Sequence, residues 1–372
     1  MGKKVLLISV STGSGHVQAA KALEKTAKAK FPEMNISHID MMDYVSLPLK
    51  KTIVNSYNIL VKQLPEVWGF FYKKTNKLKI SKFAQKMAGL LNTLNTGSFY
   101  NYLKTTQPDV ILCTHFLPIH ALSTISSLSA RKISILLTDY HNHFFQTSPI
   151  INHYFVSSAK IKWRMIHMGI PEENITDSGI PIDLVFYENK QLEELKKKYQ
   201  TNDEQKNILV LSGGQGLVNT DKIISTLFKS KENLRIFAIA GNNDKLKHKL
   251  EELSPPANIQ LTALGWTDKI DEYIRIADII ITKPGGLTTT ECIILKKPII
   301  AISPIPGQEE YNAEYILENN FGVIARTPED LLYYIEKNFA SSLNLKNAAP
   351  AGRLEKDNKK TSAEIILEEL KK

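Results

Sequence analysis

Cysteine is scarce in this sequence of 372 residues. Its two cysteines, Cys113 and Cys292, stand far apart, each inside an apolar run. That excludes a disulfide framework and a paired-thiol metal site, and buried thiols in a reducing compartment are expected. Long apolar runs are missing as well. No stretch approaches the roughly 18 uninterrupted apolar residues of a membrane span, and Val5–Val10 is too short for the core of a secretion signal. There is no short-period repeat and no recognisable nucleic-acid module, so nucleic acid is not an expected partner. Acidic residues are nearly absent from one place: between Lys50 and Lys86 nine lysines face a single acid, Glu66, so this stretch holds most of the net charge of +9.

What is present is ordinary for a globular chain: 43% hydrophobic and 23% charged residues, at a length that suits two α/β domains. Short β-rich segments alternate with helix-like ones. Lys4–Ser9, Met34–Asp40, Pro108–Cys113, Ile133–Thr138, His153–Ser157 and Ile175–Gly179 read as strands of a first parallel sheet. A second series follows at Asn207–Ser212, Arg235–Ala240, Ile259–Leu264, Asp278–Thr282 and Pro298–Ser303. Between the series, residues 188–206 are strongly polar and without strand signal, and the crossover is placed there. The expected division is a first domain over 1–195 and a second over 196–354. A charged amphipathic helix within about 355–372 is expected to pack back on the first.

In parallel α/β sheets ligands gather beyond the carboxyl ends of the strands, and the chemistry-bearing turns all fall there. Ser11-Thr12-Gly13-Ser14-Gly15-His16 joins a strand to a helix start. Gly13 and Gly15 admit a close ligand, and His16 sits where the helix dipole disfavours imidazolium and keeps a neutral base. The turn has neither the third glycine of a dinucleotide fingerprint nor a Walker lysine. Ser212-Gly213-Gly214-Gln215-Gly216 repeats the arrangement in the second half.

Lys283-Pro284-Gly285-Gly286-Leu287-Thr288-Thr289-Thr290-Glu291 is the strongest signal. Two glycines and three threonines at a helix start make a diphosphate cradle that needs no metal, and Glu291 is placed to accept from ribose hydroxyls. Gln308, Glu309 and Asn312 open another helix, with Gln308 and Asn312 on one face suited to sugar hydroxyls. Asp139, His141 and His143 alternate along a loop, so a metal site there is the lesser alternative. Within Lys50–Lys86, lysines including Lys73, Lys74, Lys77 and Lys79 interleave with Trp68, Phe70 and Phe71, a pattern suited to an anionic membrane surface. The alternative is a solvated basic face.

The segments Gly265-Trp266, Thr282-Lys-Pro-Gly-Gly-Leu-Thr288, Glu291, Pro306-Gly-Gln-Glu309 and Asn312-Ala313 resemble the donor site of glycosyltransferase family 28. They are most similar to its monogalactosyldiacylglycerol synthase and processive diacylglycerol glucosyltransferase branch. Thr12-Gly-Ser-Gly-His16, Thr138-Asp139-Tyr140 with His143, and Ser178-Gly-Ile-Pro-Ile182 resemble that branch's remaining motifs. Departures fall on the acceptor side: Thr12 and Ser14 replace glycines, and Phe144-Phe145-Gln146 stands where a tryptophan is expected.

The resemblance implies an α/β fold of two facing Rossmann-like domains (GT-B type) with the active site in the cleft between them. It implies an inverting transfer of glucose or galactose from UDP-glucose or UDP-galactose to diacylglycerol, with no cofactor. His16 would be the base, with Asp139 or His143 assisting. Gly265 and Trp266 would lie at the uracil, Glu291 at the ribose, and Gly285, Gly286, Leu287 and Thr288 at the diphosphate. Gly213 and Gly214 would line the donor site, and Gln308, Glu309 and Asn312 the sugar. A cytoplasmic enzyme held peripherally at the inner face of the membrane is expected. A polyprenol-linked N-acetylglucosaminyl transferase and a non-catalytic UDP-sugar sensor are the rival readings.

Overall fold

The computed structural model describes residues 3–11, 13–45, 96–125, 131–143, 146–213, 219–337 and 360–372. The chain divides into two compact units. The first is Met1–Leu184 with Pro306–Gln308 and Ala349–Lys372, and the second is Val185–Ile305 with Glu309–Ala348.

In the first unit, β1 (Lys4–Ser9), α1 (Ser14–Lys30), β2 (Asn35–Asp40), α2 (Thr96–Thr106), β3 (Val110–Cys113) and α3 (Phe116–Leu122) are followed by β4 (Lys132–Leu136), β5 (His153–Val156), α4 (Ala159–His167) and β6 (Ile175–Asp177). The strands form a parallel sheet in the order β2-β1-β3-β4-β5-β6. β1 and β3 are buried almost throughout, as befits strands covered on both faces. The chain winds one way from β1 to β2 and the other way from β3 onward. The crevice of such a sheet lies where that direction reverses, between β1 and β3.

The second unit repeats the scheme with α5 (Leu192–Tyr199), β7 (Lys206–Leu211), α6 (Thr220–Leu227), β8 (Leu234–Ile239), α7 (Asp244–Glu251), β9 (Ile259–Leu264), α8 (Ile270–Ile276), β10 (Ile279–Thr282), α9 (Gly286–Ile294), β11 (Ile299–Ile302), α10 (Gln308–Glu318), β12 (Gly322–Ala325) and α11 (Pro328–Glu336). Its parallel sheet runs β12-β11-β10-β7-β8-β9, the Rossmann order, with the reversal between β7 and β10. β12 has no counterpart in the sequence reading. It is a short edge strand whose first residue, Gly322, approaches Ile299 so closely that an added Cβ would lie 1.9 Å from its carbonyl oxygen.

The boundary after Leu184 lies earlier than the sequence reading placed it, and the reason is a buried polar network. The Arg275 guanidinium donates to the carbonyls of Val185, Phe186 and Glu188 at 3.2, 3.1 and 2.8 Å. Lys190 pairs with the fully buried Asp271 at 2.7 Å, and Lys198 and Tyr199 both bond Glu272. Burial opposes ionisation of Glu272. Hydrogen bonds from Lys198, Tyr199 and Lys190 outweigh it and bring that carboxyl down to about 2. The polar run therefore holds a helix, α5, fastened to α8.

The last helix, α12 (Ser362–Lys371), groups with the first unit and packs on α1. Thr361 and Glu364 form a reciprocal capping box at its start. Ile366, Leu367 and Leu370 are buried, as are Ala19, Ala20, Leu23 and Ala27 of α1. Lys30 pairs with Glu364 at 2.8 Å and Lys371 with Glu33. Leu367→Ala removes a fully buried side chain, so the first unit should lose about 2–5 kcal/mol, seen as a lower urea midpoint. Glu368→Gln, at the exposed Lys360 pair, should cost no more than about 1 kcal/mol.

Candidate functional site

In the first unit the turn after β1 leads into α1 through Gly13, an N-cap in extended conformation with no side-chain cap. A Cβ at Gly13 would meet no atom of the described residues within 4 Å. His16, in the first turn of α1, reaches across the reversal between β1 and β3. Its Nδ1 lies 2.6 Å from the carbonyl oxygen of Thr114 and 3.0 Å from Thr138 Oγ1, and Thr114 Oγ1 donates back to the His16 carbonyl at 3.0 Å.

A carbonyl oxygen only accepts, so Nδ1 carries the ring proton and Nε2 the lone pair. Burial lowers the His16 pKa, while the charge of Asp139 and the Thr114 carbonyl pull it upward. Desolvation of the ring is the largest of these influences, and it favours the neutral imidazole.

His115 was not singled out in the sequence. It follows Thr114 at the end of β3, a strand-end position that carried the only available signal. Its ring lies edge-on to His16, 4.6 Å between centroids and 87° between planes, and burial, then His16 and His120, hold its pKa well below the usual histidine range. Asp139 and His143 are both buried. The Asp139 carbonyl accepts from Ser157 Oγ at 2.6 Å, and the His143 amide donates to Gln146 Oε1 at 2.7 Å. His141 lies 3.4 Å from Arg164. Burial, then Arg164, His143 and Lys160, push its pKa down to about 3. Among the described residues no group of three or more His, Cys, Asp or Glu side chains is gathered as a metal-ion cluster. Cys113 and Cys292 are buried thiols whose pKa values burial raises.

In the second unit the turns after β7 and β10 meet at the other reversal. Gly213 is left-handed (φ +75°), and a Cβ there would lie 2.9 Å from Lys283 Cε. The lysine stem thus crosses over the β7 turn to its partner, Glu309. Gly285 is the N-cap of α9, with no side-chain cap and open space where its Cβ would be. The amides of Gly286, Leu287 and Thr288 are in the first turn, where backbone donors have no intrahelical partner and the dipole favours an anion.

Several side chains do something other than expected. Of the threonine hydroxyls, Thr290 Oγ1 donates back to the Gly286 carbonyl at 2.8 Å and Thr289 is fully buried, leaving Thr288 as the partly exposed one. Glu309 and Asn312, expected at a sugar, instead shape the turn. Glu309 is buried between Lys283 and the Ile305 amide, 2.9 Å away. Asn312, fully buried, donates to the Pro284 carbonyl at 2.9 Å. Glu291 is half-buried in α9, and Gln308, also half-buried, opens α10. Gly265 follows β9, the edge strand, with Trp266 65% exposed beside it.

Gly15 lies in the first turn of α1. Gly214, Trp68, Phe70, Phe71, Lys73, Lys74, Lys77 and Lys79 lie outside the described residues. Among the described residues no helix is long and apolar enough to cross a membrane.

With this geometry in hand, comparison with known proteins is specific. The family model described as monogalactosyldiacylglycerol (MGDG) synthase matches residues 16–182, and that described as glycosyl transferases group 1 matches 191–354. The chain is 31% identical over 337 residues to a processive diacylglycerol beta-glucosyltransferase of Bacillus cytotoxicus, spanning 88% of this chain and 83% of that protein. It is 30% identical over 334 residues to the enzyme of the same description from Bacillus cereus, with the same coverage of each. Among solved structures it is similar to Acinetobacter baumannii MurG, with TM-score 0.62, 16% identity and 99% of each chain covered. It is also similar to the UDP-GlcNAc 2-epimerase of Neisseria meningitidis bound to UDP-GlcNAc, with TM-score 0.59, 13% identity and 99% of each chain covered. These two likenesses establish the fold, two Rossmann-like units of the GT-B type.

The buried histidines make stability depend on pH with a definite sign. His16, His115 and His141 all have folded pKa values below the 6.5 of an ordinary histidine. The unfolded chain therefore binds more protons in acid. Their contribution is complete above 6.5 and is lost progressively as the pH falls below it. Glu272, at about 2 against 4.5, loses its contribution only in stronger acid. The denaturant midpoint should therefore drop between about pH 7 and pH 5, and His141→Gln should flatten that slope.

Proposed function

The chain belongs to the family of monogalactosyldiacylglycerol synthases and processive diacylglycerol beta-glucosyltransferases, and from that premise we propose that it transfers glucose from UDP-glucose to diacylglycerol with inversion at the anomeric carbon. It is a UDP-sugar-dependent hexosyltransferase. Glucose is favoured over galactose because the relatives of about 30% identity are described as beta-glucosyltransferases. The observation that carries the reaction is the His16 tautomer: Nδ1 is committed to Thr114, which leaves Nε2 as a neutral base.

In the proposed step the acceptor hydroxyl oxygen attacks the anomeric carbon as the bond from that carbon to the diphosphate oxygen breaks. The hydroxyl proton passes to His16 Nε2, and UDP departs with the electron pair. A single displacement inverts the configuration. The uncapped start of α9, with Gly285, Gly286, Leu287 and Thr288, receives the charge that develops on the diphosphate. Glu291 accepts from the ribose hydroxyls, Trp266 and Gly265 flank the uracil, and Gln308 contacts the sugar. Asp139 raises the affinity of His16 for the transferred proton, in keeping with its electrostatic influence on that ring. His143, buried near it in sequence, is proposed to assist.

Diacylglycerol resides in a bilayer, and the lysine-aromatic stretch Lys50–Lys86 is proposed to hold the enzyme to an anionic cytoplasmic surface, each lysine adding about 1 kcal/mol near it. The test is purified protein with diacylglycerol vesicles and a panel of UDP-glucose, UDP-galactose and UDP-N-acetylglucosamine, with mass and linkage analysis of the products. A β-linked hexosyl diacylglycerol from UDP-glucose is expected, with activity retained in excess chelator. Transfer only of N-acetylglucosamine to a polyprenol carrier, or UDP-sugar binding without turnover, would replace this reading by one of its rivals. His16→Ala should lower kcat by about 10²–10⁴-fold with little change in UDP affinity.

A further inference from the structure

The hydrogen bonds that join the His16 ring to Thr114 O and Thr138 Oγ1 both meet Nδ1, so the ring orientation hangs on one side of the imidazole. The ring that packs against it is His115, edge-on at 4.6 Å and 87°. We propose that His115 is a positioning residue for His16, a brace that keeps Nε2 aimed for proton transfer. The proposal rests on the reading of His16 as the base.

His115 is itself fixed from two directions. Its Nδ1 accepts from the Leu117 amide at 3.1 Å and so caps α3. An accepting Nδ1 places the proton on Nε2, and protonating Nδ1 would break the cap. The ring also stacks on Phe116, 4.3 Å between centroids and 28° between planes, and Phe116 meets the edge of His120 at 6.0 Å. Asparagine would cap α3 as well, and phenylalanine would fill the ring space as well. Histidine does both at once, and it stays neutral, so it does not compete for the proton that His16 takes. The groups that face His16 are then the Asp139 charge, the Thr114 carbonyl, the Thr138 hydroxyl and this neutral ring.

The two roles of His115 are separable by substitution. His115→Asn keeps the cap and removes the ring, while His115→Phe keeps the ring and removes the cap. If the ring braces His16, His115→Asn should lower kcat by about 10-fold or more, leave UDP affinity unchanged, and move the acid limb of the kcat/KM profile upward. The direction follows because hydrating the His16 ring relieves the desolvation that lowers its pKa. His115→Phe should retain kcat within about threefold. The ¹⁵N shifts of the His16 ring, read by NMR without substrate, should move from the Nδ1–H form toward a tautomer mixture in His115→Asn only.

Loss of kcat in His115→Phe with retention in His115→Asn would overturn the brace in favour of a capping role. Unchanged His16 shifts in His115→Asn would overturn it outright. The ring shifts do not depend on turnover. If they respond while His16→Ala keeps its activity, the base assignment falls and the brace stands.

Discussion

Parallel pairing is the constraint on which the rest of this molecule depends. Once every strand in a sheet points the same way, every strand-to-helix turn emerges at the same edge. The amino ends of the following helices, with their unpaired amides, arrive there too. Sequence-distant residues then become neighbours without further design. His16 follows β1 and Thr114 follows β3, and the pairing of β1 with β3 is what brings a ring nitrogen and a carbonyl oxygen 98 residues apart in sequence to 2.6 Å. The pairing of β7 with β10 does the same for Gly213 and Lys283.

The two reversals are furnished differently. In the first unit the space is lined by imidazoles whose protons are placed by backbone groups, so proton position is decided by main-chain geometry. In the second unit the ionic and amide side chains close to the turn are turned inward. Glu309 anchors Lys283 and the Ile305 amide, Asn312 holds the Pro284 carbonyl, and Thr290 bonds its own helix. Beside them stands a helix start at Gly285, where an added Cβ would meet no atom of the described residues within 4 Å. The same fold thus presents imidazole nitrogens at one reversal and a helix start at the other, by choosing which groups face outward.

Much of this was legible in the residues. The strands were marked by short β-branched runs, and their ends by Gly-rich or His/Asp turns, so the turns bearing His16, Asp139 and Gly285 were found from sequence. Three things were not. β12 is four residues long and begins with glycine, too short and too weak in β-propensity to announce itself. The ties of the polar run 188–206 were hidden, because Lys190, Lys198 and Tyr199 are spent on Asp271 and Glu272. The partner of a charge cannot be read from composition. His115 was missed because its part depends on a ring-to-ring contact, a three-dimensional fact with no spacing rule behind it.

The return of α12 to the first unit has a bearing on how the protein comes into being. Synthesis runs from the amino end, and domains ordinarily fold as they emerge. Here the side of α1 that meets α12 has no partner until residues 362–371 have been made. The first unit is therefore completed only after the second unit has been translated. During that interval the face of α1 that later meets α12 is open to water.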